Sequence, residues 1–144
     1  MKGWVMTIIG VVGCAVSALF GGWDSSLQAL LLFMVIDYLM GLVVAGVFKK
    51  SKKTKSGALS SKKCWEGLAR KGGTLAVVLV GAQLDKVVGI DYVRDGVCIA
   101  FIANEAISII ENAGLMGVPI PAVITKAIDM LKRKEEENDR TGDL

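Results

Sequence analysis

The sequence predicts an all-α membrane protein. About four transmembrane helices form two antiparallel hairpins, and an amphipathic C-terminal helix follows on the cytoplasmic side. Three observations predict this. Hydrophobic residues make up 53% of the 144 positions and mean hydropathy is +0.54, too apolar for an ordinary water-soluble domain. The apolar residues fall into runs separated by two very short polar turns and one long basic loop. The 17 basic residues are strongly biased toward one side of that pattern.

The first span is expected over residues 4–23, with Trp4 and Trp23 at the two interfaces. Its length matches a hydrocarbon layer of about 30 Å. Gly13, Ser17 and Gly21 recur every fourth residue, a small-residue face for close helix packing. A signal peptide, with Lys2 as its charged end, is the competing reading of this run.

Asp24, Ser25 and Ser26 make the turn to the second span, 27–48, which pairs with the first as a hairpin. Asp37 then lies about 15 Å in, near mid-membrane, with Gly41 as a packing position beyond it.

The basic loop holds Lys49, Lys50, Lys52, Lys53, Lys55, Lys62, Lys63, Arg70 and Lys71 against the single acid Glu66. Nucleic-acid or anionic-lipid binding is one reading. The simpler reading, adopted here, is a topology signal that keeps the loop in the cytoplasm, with no nucleic-acid partner. From about Ser61 the chain is expected to turn helical. The third span covers 72–90 and the fourth 94–114. With the loop inside, both termini are cytoplasmic, and 15 of the 17 basic residues are inside; only Lys86 and Arg94 are outside.

Pro119 and Pro121 stop the fourth helix, and Pro121 opens another. Over 121–134, Val123, Ile124, Ala127, Ile128 and Leu131 share one face, the pattern of a helix on a membrane surface. Residues 1–134 thus form one helical domain, and 135–144 a charged, frayed tail.

The fourth span carries the residues most in need of explanation. At roughly 100° per residue, Asn104, Glu105, Ser108, Glu111 and Asn112 fall within one arc of about 120°, which Phe101 also enters. No lysine or arginine lies between Gly3 and Phe48 or between Asp95 and Thr125, and the third span offers none before Lys86. The expectation is therefore that Asp37 and Glu105 have no cation at their depth. They are then protonated, face water, or meet polar groups of other helices or other copies.

Enzymatic chemistry is poorly served. There is no histidine, and Cys14, Cys64 and Cys98 show no metal or disulfide spacing, so no metal, cofactor or catalytic residue is implied. Physics alone leaves a channel, an assembly scaffold and a transporter open.

Several blocks narrow the choice. Asp37-Tyr38-Leu39-Met40-Gly41, Ser60-Ser61, Gly67-Leu68-Ala69-Arg70-Lys71 and Leu84-Asp85 are followed by Asn104-Glu105-Ala106-Ile107-Ser108-Ile109-Ile110-Glu111-Asn112 and Gly117-Val118-Pro119-Ile120-Pro121. Together they resemble the bacteriophage holins, in the branch shared with the clostridial toxin-secretion holins. The resemblance covers about Leu27 to Lys134. It implies accumulation in the bacterial cytoplasmic membrane, assembly into homo-oligomers, and a timed lesion through which a cell-wall hydrolase or a toxin passes without direct binding. On that reading Asp37, Asn104, Glu105, Ser108, Glu111 and Asn112 are the candidate pore-lining or assembly residues. A small proton- or ion-coupled channel or transporter and a structural membrane protein are the alternatives.

Overall fold

A computed structural model describes residues 2–142. Among them it is all-helical: α1 (Lys2–Leu19), α2 (Ser25–Val43, continued by a π-helical turn over Val44–Phe48), α3 (Ser61–Val88), α4 (Val93–Leu115) and α5 (Ala122–Gly142). Two of these helices are long and apolar enough to cross a membrane: α1, and α2 with its π turn, Ser25–Phe48.

Each boundary has a local cause. Asp24, in extended backbone, accepts a hydrogen bond from the Leu27 amide at 3.0 Å and caps α2. Gly89, at φ +79°, takes the left-handed conformation that ends α3. The first amides of α4 are capped from outside the helix: the carboxylate of Asp85 on α3 accepts from Val93 N and Arg94 N, both at 3.0 Å. At the other end Gly117, at φ +84°, donates to Gly114 O while Val118 donates to Ala113 O, the paired closure of a Schellman motif. Pro119 and Pro121 then prevent continuation, and α5 starts one residue after Pro121.

The core lies among α2, α3 and α4. Leu27, Leu30 and Met34 of α2 meet Val78 of α3 and Cys98 of α4, with Phe20, Leu75 and Phe101 packed around them. Gly81 is what lets α3 and α4 approach. A Cβ there would lie 3.2 Å from Arg94 Cα and 3.4 Å from Arg94 N.

Three expectations need correction. The first hairpin does not pack on itself: no residue of α1 is buried, while α2 packs chiefly against α4. Gly21 is not on the α1 face with Gly13 and Ser17. It lies beyond the helix at φ +83°, where its neighbours are Arg94 and Ala82. Nothing within 4 Å would meet a Cβ at Gly13 or Gly41. The tail, finally, does not fray at 135: α5 runs on to Gly142, because 132–137 are strong helix formers with opposite charges four apart. Positions 143 and 144 lie outside the described residues.

Candidate functional site

Two polar clusters, one toward each end of the bundle, hold the helices in register. The inner one is built around Asp37. Its carboxylate accepts from Lys71 Nζ at 2.9 Å, and Glu105 accepts from the same nitrogen at 2.6 Å. Asn112 Nδ2 donates to the other oxygen of Asp37 at 3.1 Å. Ser108 faces the same carboxylate. Asp37 and Glu105 are buried, at 6% and 7% exposure, so α2, α3 and α4 are joined by a shielded ionic cluster. It holds two carboxylates for one ammonium, leaving one surplus negative charge when both are ionised.

This overturns the expectation that no cation reaches that depth. Lys71, grouped in the sequence with the topology signal, is no loop residue: it sits ten residues into α3, which begins at Ser61. Helical rise gives the reason. Measured from the turn between α3 and α4, Lys71 is 14 residues from Asp85, about 21 Å, and Glu105 is 11 residues from Arg94, about 16 Å. A flexible lysine stem covers the difference. That depth comparison is the signal that could have found the pair.

The six candidate residues do converge. Asp37, Asn104, Glu105, Ser108, Glu111 and Asn112 all line one cleft of about 540 Å³ between α2, α3, α4 and the basic loop. They divide by exposure, however. Glu105 is buried and Ser108 and Asn112 half-buried against α2 and α3, whereas Asn104 and Glu111 are exposed. Lys52, Lys53, Lys63, Arg70 and Lys71 also line the cleft. Lys49, Lys50 and Lys55 are exposed elsewhere on the loop, and Lys62 is exposed in the first turn of α3. Tyr38 braces the same wall: its hydroxyl donates to Cys64 O at 3.3 Å and its ring lies 3.7 Å from where a Gly67 Cβ would be.

The outer cluster is the one that sequence reasoning missed. Arg94 is only 5% exposed, although it was expected at the outer interface. It donates to Phe20 O at 2.8 Å, to Gly22 O at 3.1 Å, to Asp95 at 3.1 Å and to Asp24. Gln83 reaches Leu19 O and Lys86 reaches Ala18 O, each at 2.7 Å. These are carbonyls of the last turn of α1, where the helix dipole also favours cations; Ala18 O accepts from Gly21 N as well. The hydrogen bond from Arg94 holds the Asp24 carboxyl below the usual carboxylate range, outweighing partial burial, and the Leu27 amide adds to it.

The class these features define is a helical membrane protein that buries Asp37, Glu105 and Arg94 within the bundle and leaves large apolar residues exposed on α1, α2 and α3. Comparison with known proteins agrees. The pattern of the bacteriophage holin family matches residues 14–133, and the chain belongs to that family. A probable holin of Bacillus phage phi105 is 34% identical over 115 residues, 79% of this chain and 77% of that protein. An uncharacterized protein of Clostridium acetobutylicum is 37% identical over 120 residues, covering 82% and 90% of the two chains. An uncharacterized 14.9 kDa protein from the nagH 3′ region of Clostridium perfringens is 36% identical over 126 residues, covering 86% and 89%. No solved structure matches the chain.

Proposed function

We propose that this protein is a holin without enzymatic activity, crossing the bacterial cytoplasmic membrane four times with both termini inside. It assembles with copies of itself and opens a lesion through which a cell-wall hydrolase or a toxin leaves, without binding that cargo. The observation that carries the reading is the Lys71–Asp37–Glu105–Asn112 cluster, whose two carboxylates are buried between helices with exposed apolar residues on their outer faces. In one copy the cluster satisfies itself. Turned toward other copies, the same side chains become the wall of a water-filled path, and ionic groups at that depth are stable only against water or one another.

Four spans are supported by where the charges point. α3 carries Lys71 and Asp85, and α4 carries Arg94 and Glu105, which lowers their hydropathy, yet each of these groups is bonded within the bundle. The exterior of α3 presents Val77, Val80, Leu84, Val87 and Val88, all exposed, as a lipid-facing surface requires. The surplus carboxylate supports a second reading, a small proton- or ion-coupled channel.

Induced expression in a bacterium separates the two. Abrupt death after a lag, with a cytosolic reporter enzyme escaping to the periplasm, is the expected result. Potassium leakage without enzyme escape would favour the narrow channel. Stable insertion without leakage would contradict both.

A further inference from the structure

We propose that α5 is a releasable cover on the Ala100–Ile107 face of α4, with two alternative seats: along α4, as here, and on the anionic surface of the bilayer. The proposal rests on the four-span reading above. Residues 100, 101, 104 and 107 of α4 line a second, open cleft with Lys132, Glu135 and Glu136 of α5. The antiparallel return through the 116–121 turn brings α5 back beside the middle of α4, about 12–22 Å before the end of that helix at Leu115.

That is where the two seats become exclusive. If this stretch of α4 lies within the bilayer, lipid cannot occupy a face that Lys132, Glu135 and Glu136 already cover. Nor can those charges stay there once lipid or a second copy arrives. The docked state therefore keeps both from Ala100 and Ile107, which are half-buried, while Asn104 beside them stays exposed.

The hold on α4 is light. Ile128 is buried, but Val123 and Ile124 on the same apolar face are 75% and 42% exposed, so most of that face is unused while α5 is docked. The rest of α5 is suited to the other seat. Lys126, Lys132, Arg133 and Lys134 accompany its apolar residues, the composition that binds anionic lipid headgroups. Gly117, at φ +84°, and the two prolines after it form a connection that fixes where α4 ends and leaves α5 a separate body. The release of α5 would therefore be coupled to the membrane itself, since the bilayer competes for the same apolar stripe.

The test uses the full chain with Cys14, Cys64 and Cys98 changed to alanine. Spin labels go on Ala100→Cys and Glu135→Cys. In detergent the proposal expects one short distance. In vesicles of phosphatidylglycerol and phosphatidylethanolamine it expects that population to be lost to a longer distance, with less loss in phosphatidylcholine. An unchanged short distance in anionic vesicles, or no short distance in detergent, would overturn it. A second variant, Ile107→Cys with Lys132→Cys, is oxidised to lock α5 down. Dye release from vesicles should be lost when oxidised and return on reduction. Release that persists in the oxidised protein would overturn the cover. If the reduced protein and its unlinked parent both release no dye, the lesion-forming reading fails instead, and the label distances alone decide the fate of α5.

Discussion

Lys71 is the residue on which the inner cluster turns. Lys71→Met leaves Asp37 and Glu105 buried without a cation, and breaking a buried pair from one side costs about 3–5 kcal/mol. Thermal unfolding in detergent should show that loss. Adding Asp37→Asn and Glu105→Gln to the lysine change should restore much of it, since no uncompensated charge then remains; equal instability of single and triple variants would argue against the pairing. Gly81 is the steric counterpart. Gly81→Leu must push α4 away at Arg94, and overpacking of this kind costs about 1–3 kcal/mol, again read as a lowered unfolding temperature. Of these roles the sequence showed part. The polar character of Asp37, Glu105 and Asn112 was visible from their setting in apolar runs. The role of Lys71 was not, because a charge count along the chain assigns lysines to loops and ignores how far a helix extends before the membrane begins. Arg94 escaped for a related reason: two of its four partners are the backbone carbonyls of Phe20 and Gly22, which no pattern of side chains reveals.

At the scale of the elements, α1 stands apart. It presents an apolar surface with no buried residue, and its end is fastened by Arg94, Gln83 and Lys86. The Asp24 carboxyl in that fastening is held below its usual range by Arg94, so its charged form is favoured when folded. A depressed folded value contributes stability above the unfolded value and loses it as pH falls through the folded one. Acidification through the lower carboxylate range should therefore loosen the end of α1 before the α2–α4 core. Hydrogen exchange at residues 16–24 against residues 97–103 checks this, and Asp24→Asn should remove most of the difference. Helix existence was legible from runs and punctuation: the turn at Asp24 and the two prolines mark ends where the structure has them, whereas the left-handed stops at Gly89 and Gly117 went unread. The packing partner was not. A short turn brings two helices into sequence proximity, but α2 finds its best surface on α4, where Leu30, Met34 and Asp37 have complementary groups. Similarly, the small residues of α1 announced a packing face, yet nothing among the described residues lies within 4 Å of a Cβ at Gly10 or Gly13.

At the scale of the whole molecule, the two polar clusters divide the labour. The outer one ties α1, α3 and α4 together near the turns, and the inner one ties α2, α3 and α4 beside the basic loop. Between them lies the apolar core of Leu30, Val78 and Cys98. In a bilayer, transfer of apolar side chains from lipid to protein gains little, so helix association depends on packing and on polar bonds of this kind. The same bonds are what the proposed assembly would have to rearrange for these side chains to meet water. Glu105→Leu separates the two roles of the cluster. It keeps the span apolar, so insertion should be normal, and it removes a carboxylate from the proposed wall, so permeability should fall.

The most direct test is release of entrapped markers of graded size from vesicles carrying the purified chain, wild type beside Glu105→Leu. The account predicts that the wild type releases markers up to the size of a folded enzyme once a threshold amount is inserted, while Glu105→Leu inserts equally and releases none of that size. Equal release by the two proteins, or release by neither, would contradict it.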